Sequence, residues 1–280
     1  MLFPLLGLAF AFSTTFMASN ATTLFRDAQR PKLGQRAFLV SYRPLGATGM
    51  GRESVMRHDG ANRRWYVDHS CRREPDFVHP NPLISGLCRK EKFAPKLREG
   101  DVVAYVVNEG RKYRITAVLL VVRTVANHET AEQLYQSVGQ QLPGNCMVKN
   151  NEPLALTFTG GRTGSVQAMK DCLKSGTEKE QQRTIRQWDR YYRGIVSTDK
   201  VTQAALTEPL YIELTAPPTV TASQLAEAFG NGPHGRPPGM QTPSLRHTVT
   251  QLNRLLSHVK LPTVAEMYSG LPSLSNQLIG

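Results

Sequence analysis

Gly100–Val125 reads GDVVAYVVNEGRKYRITAVLLVVRTV, and two apolar, β-branched runs around a polar turn that ends in glycine form the pattern of a β-hairpin. The pairing predicted is Val102–Val107 with Tyr113–Val125 across Asn108, Glu109 and Gly110. Upstream, RAFLVSY (Arg36–Tyr42) reads as a strand ended by Pro44 and Gly46, and RWYVDHS (Arg64–Ser70) as a second strand, with a Gly- and Arg-containing loop over residues 45–63 between them. Downstream, His128–Val138 reads as a short helix capped by Asn127, with Leu134, Tyr135 and Val138 on its inner face. The predicted fold class is α+β: a small, mixed, mostly antiparallel barrel over residues 36–126 with flanking helices and a helical C-terminal extension.

The stretch Cys71–Arg98 holds four prolines, at 75, 80, 82 and 95, and an irregular connection of that length in a compact domain is usually functional or disordered. Phe77, Leu83, Ile84, Leu87 and Phe93 argue for order, so it reads as a binding loop. Past residue 150 a strand is expected at Leu154–Phe158, a helix at Ser165–Leu173, and a charged helix at Glu178–Tyr192 with Ile185, Trp188 and Tyr192 at helical spacing. A strand is expected at Leu210–Leu214, and a helix capped by Thr221 over Thr221–Phe229. Gly230–Pro243 has the composition of a linker. Leu245–Val259 is an amphipathic helix with Leu245, Val249, Leu252, Leu256 and Val259 on one face, which either docks on the domain or binds a protein partner. The organisation predicted is a lead-in over residues 1–35, disordered or signal-like, a folded domain over 36–215, and a helical extension with a Pro/Gly linker over 216–280.

Composition restricts the function. In 280 residues, 34 Lys and Arg stand against 22 Asp and Glu, a formal charge of +12, which points to an acidic partner. Nucleic acid is the commonest, because every phosphate neutralised releases condensed counterions; an anionic membrane surface is the rival, and plain solubility the bland alternative. The four cysteines, Cys71, Cys88, Cys146 and Cys172, form no CxxC pair and are too few for a disulfide scaffold. A reducing compartment follows: cytoplasmic, nucleoid or nuclear, unless Met1–Ser19 is a functional signal peptide. Leu2–Phe12 has the length of a signal-peptide core and is too short to span a bilayer. Its first basic residue is only Arg26, and Met17 offers a second start; the signal peptide and the later start stand as equal readings.

The order strand, long Pro-rich loop, Gly-Asp turn, hairpin and helix resembles PUA-like domains of the ASCH, EVE and YTH kind, most clearly over Gly86–Tyr135, where Leu97-Arg98-Glu99-Gly100-Asp101 precedes the hairpin. DHSCRREPDF (Asp68–Phe77), ISGLCR (Ile84–Arg89), GNCM (Gly144–Met147) and DRYYR (Asp189–Arg193) are similar to the nucleotide-modification-associated domains of that superfamily. The resemblance covers about half of the chain. It implies a PUA-like barrel with a pocket that reads a modified base or nucleotide, by stacking on apolar faces and hydrogen bonds to base edges. Trp65 and Tyr66 are then the stacking candidates, His69, Ser70, Asp76 and Ser85 address the base edge, and Arg72, Arg73, Arg89 and Lys92 hold phosphates. With only two tryptophans, Trp65 and Trp188, a three-Trp cage for a methylated adenine is impossible.

Trp65 and Tyr66, as strand neighbours, would face opposite sides, so only one lines a given pocket. His69, Cys71, His79 and Cys88 are zinc-ligand types at a spacing that fits no standard site, and neither metal nor cofactor is expected. Two further classes stand beside the reader of modified bases. One is an ASCH-like small amidohydrolase acting on a modified nucleoside, for which Lys92, Glu91 and Asp68 are available although no spacing marks them as a set. The other is a scaffold working through the helix at 245–259. No P-loop, GxSxG or HExxH occurs in the chain, and Gly160–Gly164 reads as a turn rather than a phosphate nest.

Overall fold

The computed structural model describes residues 30–70, 72–85, 93–110, 112–151, 176–191, 203–230 and 247–271. The strands are β1 (Arg36–Tyr42), β2 (Leu83–Ile84), β3 (Val102–Glu109), β4 (Lys112–Val125), β5 (Ala204–Ile212), β6 (Thr219–Thr221) and β7 (His247–Thr248). The helices are α1 (Gly49–Asp59), α2 (His128–Ser137), α3 (Glu178–Tyr191), α4 (Ala222–Phe229), α5 (Val249–Ser257) and α6 (Val264–Ser269). The strands form one mixed sheet in the order β2-β5-β4-β3-β1-β7, with β6 beside β5 on the long strand β4. The sheet is curled but partly open, a half-barrel rather than a closed one.

The predicted hairpin is its centre. Val102 faces Leu120 and Val107 faces Arg114, and Gly110 turns the chain at φ 72°, a left-handed value that costs glycine nothing. Both faces of the sheet are covered, which is why VVAYVV is apolar throughout instead of alternating. Val102, Ala104 and Val106 join Leu120, Ala131, Tyr135, Leu225, Leu252 and Leu256 in one layer. Val103, Tyr105 and Val107 join Phe38, Tyr42, Tyr66, Phe77 and Phe93 in the other.

The curl comes from bulges, each of which adds a residue to one strand and raises the local twist. At Thr116 the register passes from Tyr105↔Ala117 to Val106↔Ile115, and the Thr116 hydroxyl donates to the Tyr105 carbonyl at 3.1 Å. The phase of β4 reverses there: Ile115 belongs to one layer and Ala117 to the other. A second bulge lies where Leu119 faces Pro209 and Val118 faces Tyr211. Pro209 is tolerated there because β2 pairs only with Ala205 and Leu206, leaving β5 an edge strand at that point.

Several expectations are corrected. Arg64–Ser70 is not a strand; only a single bridge joins Pro44 to Asp68. Arg63 takes the left-handed conformation at φ 47°. The Asp68 carboxylate then accepts from the Ser70 and Glu74 amides at 2.9 and 3.1 Å, a local bonding mode that competes with a ladder. The region read as a loop over 45–63 contains α1, whose buried residues are only Gly51, Ser54 and Val55, too narrow a stripe to register as periodicity. Its N-cap is Thr48, which accepts from Gly51 N at 3.0 Å. A Cβ at position 51 would stand 1.7 Å from the Leu45 carbonyl oxygen, so only glycine fits where this helix meets the chain before it. The expected strand Leu210–Leu214 is instead Ala204–Ile212.

Of the apolar residues in the loop before the hairpin, Phe77, Leu83, Ile84 and Phe93 are buried and Leu87 lies outside the described residues. The Asn127 cap is present, accepting from Thr130 N at 2.8 Å. Residues 36–126 do not complete the sheet by themselves, since β5, β6 and β7 come from later in the chain and β7 extends β1 through Arg36 and Ala37. The amphipathic tail is helical over Val249–Ser257, and its apolar stripe, Val249, Leu252, Leu255 and Leu256, is buried in the same core as the hairpin. That face is therefore spent on the domain. The strand expected at Leu154–Phe158, the helix at Ser165–Leu173, the Gly160–Gly164 turn, Leu245 and most of the linker lie outside the described residues. No described helix is long and apolar enough to cross a membrane.

The caps of α4 and α5 offer a local test. Thr221 and Gln224 form a reciprocal capping box, as do Thr248 and Gln251. Thr221→Ala should cost about 1 kcal/mol, within the usual range of roughly 0.5 to 2. Urea unfolding reads this as a lower midpoint with an unchanged slope; an unaltered midpoint would show that the cap contributes nothing.

Candidate functional site

β1 and β3 are the one parallel pair among the described strands, running from Ala37↔Val102 to Tyr42↔Val107. Their carboxyl ends therefore finish side by side. An open cleft of about 800 Å³ lies there, lined by Arg43, Arg52, His69, Asn108 and Glu109 among others. Its size falls within the range of small-molecule sites, about 300–1,000 Å³. Arg43 is exposed and its guanidinium makes no hydrogen bond among the described residues, while Arg52 spends one N–H on the Gly46 carbonyl at 3.1 Å.

Behind the cleft the polar side chains are bonded to one another. Tyr42 donates its hydroxyl to the Tyr66 carbonyl. Tyr66 in turn donates to Glu109 at 3.1 Å, and Arg114 donates to the other Glu109 oxygen at 2.6 Å with its guanidinium 5.5 Å from the centre of the Tyr66 ring. Burial, aided by the Glu109 carboxylate, pushes the Tyr66 phenol up to about 12. Tyr66 thus stays a hydrogen-bond donor at any physiological pH, and the acidic charge in the cleft is already paired.

His69 enters from one wall, tied to β1 by its amide, which donates to the Arg43 carbonyl at 3.3 Å. Its Nδ1 is enclosed and has no hydrogen-bond partner, and it lies 3.8 Å from Oδ2 of Asp68. The side chain is 22% exposed and lines the cleft. Asp68 is fully buried, and its Oδ1 accepts from Ser70 N, Ser70 Oγ at 2.5 Å and Glu74 N. Three donors on one oxygen favour the ionised carboxylate.

Behind this wall a buried polar chain continues inward. Ser85 Oγ lies 3.5 Å from Glu74, and the Ser85 carbonyl accepts from His128 Nε2 at 2.9 Å. His128 Nδ1 accepts from Met147 N at 2.9 Å. With one ring nitrogen donating and the other accepting, His128 is neutral. Desolvation holds it below the usual histidine range, with the Arg72 charge acting the same way, against smaller opposing effects from Ser85 and Glu129. Burial likewise pushes the Cys146 thiol up to about 12, so it is inert.

The residues singled out from the sequence fall into separate groups. His69 lines the cleft, and Ser70 stands beside it, half-buried and bonded to Asp68. Trp65 is half-buried against the core layer behind Gly46, and Tyr66 is buried and bonded to Tyr42 and Glu109 of the cleft lining. Asp76 accepts from Gly144 N at 3.0 Å and Val78 N at 3.3 Å, and so joins the loop to the GNCM segment. Ser85 is wholly buried. Arg72 is 1% exposed and donates to the carbonyls of Gly144 and Asn151, facing inward rather than toward a phosphate. Arg73 is half-buried, and burial lowers its guanidinium from the ordinary arginine value. Arg89, Lys92 and Glu91 lie outside the described residues. The cleft also recruits Arg43, Arg52 and Asn108, which the sequence reading did not single out. Arg43 had one signal, its place directly after a strand, but nothing in the sequence shows that β1 and β3 run parallel.

The chain matches no family model, no curated protein and no solved structure.

Proposed function

We propose that this protein binds nucleic acid in the cleft at the carboxyl ends of β1 and β3 and seats there a modified base or nucleotide. The observation that carries the reading is the pair Arg43 and Arg52 on an open cleft whose single acidic lining residue, Glu109, is already neutralised by Arg114. The overall charge of +12 supports the same class of partner. In this reading Arg43 and Arg52 take phosphates, while His69 and Asn108 meet the edge of a base or sugar. Tyr42 is the aromatic that lines the cleft, and Trp65 packs behind Gly46 of the same lining. The resemblance to PUA-like domains belongs to the same proposal: a curled mixed sheet with a cleft at one end is the frame such a reader needs.

The test is fluorescence anisotropy with modified and unmodified single- and double-stranded oligonucleotides across a salt series. Log affinity should fall linearly with log salt, by about 0.7 per neutralised phosphate on a single strand and about 0.9 on a duplex. Arg43→Ala and Arg52→Ala should each flatten that slope by roughly one phosphate and weaken all sequences alike. Binding that is indifferent to salt, or to both substitutions, would place the nucleic-acid surface elsewhere.

A further inference from the structure

We propose that His69, oriented by Asp68, is a general base that cleaves RNA lying in the cleft; this rests on the reading of the cleft as a nucleic-acid site. The imidazole lies between a buried carboxylate and the open cleft: its enclosed Nδ1 is 3.8 Å from Asp68 Oδ2, and the side chain, 22% exposed, lines the cleft together with Arg43 and Arg52. Asp68 cannot swing freely, because Ser70 and Glu74 hold its Oδ1. A carboxylate that fixes one ring nitrogen leaves the other to accept a proton, the arrangement general-base catalysis requires. The gap to Asp68 is longer than a hydrogen bond, as catalytic contacts often are before substrate is bound.

The remaining polar groups of the cleft decide the substrate. Glu109 is committed to Tyr66 and Arg114, so among the described residues that line the cleft there is no second free carboxylate. A strand that carries its own nucleophile asks least of such a site, since an intramolecular hydroxyl has a large effective concentration. That strand is RNA. His69 Nε2 takes the proton of a 2′-hydroxyl as its oxygen bonds to the adjacent phosphorus, and the bond from phosphorus to the 5′-oxygen breaks. The departing oxygen takes a proton from water in the open cleft, and the hydroxide so formed recovers the proton from the imidazolium. The products are a 2′,3′-cyclic phosphate and a 5′-hydroxyl end. Arg43 and Arg52 are placed to stabilise the charge that gathers on the phosphoryl oxygens. Asp68 is a positioning residue and His69 the catalytic one.

The experiment uses the full chain with an end-labelled RNA oligonucleotide and its all-deoxy counterpart, following cleavage on gels and binding by anisotropy in the same samples. Expected are RNA fragments ending in cyclic phosphate, a deoxy strand bound but intact, and a rate reduced about 10²- to 10⁴-fold in both His69→Ala and His69→Gln while RNA remains bound. Asp68→Asn should lower kcat more than it changes KM and displace the acid limb of the pH–rate profile, which a merely structural role would not do. RNA bound by the wild type but cut no faster than by the His69 variants overturns the inference and leaves the binding reading standing. Equal cleavage of the deoxy strand overturns the 2′-hydroxyl step. Failure of either strand to bind removes the reading of the cleft, and the inference with it.

Discussion

A chain ending at residue 230 should show no cooperative thermal transition. Val249, Leu252, Leu255, Leu256 and Val264 are all buried in the layer that covers one face of the hairpin. At about 1.5 to 3 kcal/mol for each side chain removed from water, these five contribute roughly 7 to 15 kcal/mol, as large as the net stability of a typical domain. Truncation would also remove β7 from the edge of β1 and expose the opposite side of α4, where Phe229 packs its ring 4.5 Å from that of His247. Circular dichroism on heating and size-exclusion chromatography check this. A truncated chain that melts cooperatively within a few degrees of the full one would show the tail to be dispensable. In the full chain, Leu256→Ala should cost about 2 to 5 kcal/mol, because the surrounding core closes only partly around the space left.

The second large effect concerns His128. Replacing it with alanine removes the two buried hydrogen bonds that His128 makes with the Ser85 carbonyl and the Met147 amide. Loss of a buried hydrogen bond costs about 1 to 3 kcal/mol, so the two together approach a core truncation although little apolar surface is removed. The burial of His128 also gives stability a dependence on pH. Desolvation disfavours the imidazolium, so the folded state resists protonation and its pKa lies below the unfolded value, near 6.5. The unfolded chain then binds more protons in that window. The stabilisation is fully present above about pH 6.5 and is lost as pH falls through the unfolded value toward the folded one. His247, also lowered by burial, acts in the same direction. Urea midpoints should therefore drop between about pH 7.5 and about pH 5.5, and the drop should be smaller in His128→Gln. An equal drop in both proteins would assign the acid sensitivity to other groups.

Because alternating side chains point to opposite faces, a strand covered on both sides must be apolar at every position, and this made the hairpin legible from sequence alone. The Asn127 and Thr221 caps were legible for a similarly local reason: a side chain three residues from the amide it satisfies leaves its mark in a short window. The fused C-terminal helix was half legible, since its stripe was visible but the surface that receives it was not. α1 escaped notice because its inner face is a glycine, a serine and a valine, held by close approach to Leu45 rather than by an apolar stripe. RWYVDHS has the composition of a strand, yet Asp68 turns the chain by bonding Ser70 and Glu74, and no propensity records that competition.

The candidate site divides in the same way. His69 as a candidate and the net basic charge follow from residue types, which the sequence states outright. That Arg72 faces inward while Arg43 and Arg52 face a cleft depends on β1 lying parallel to β3 with α1 in the crossover, a contact between segments some sixty residues apart. Local sequence determined the hairpin, the caps and the charge because each rests on neighbours a few residues away. Which arginines meet solvent together, and which histidine stands between a buried carboxylate and open space, was decided by tertiary packing, because only the folded sheet brings those distant segments to one end.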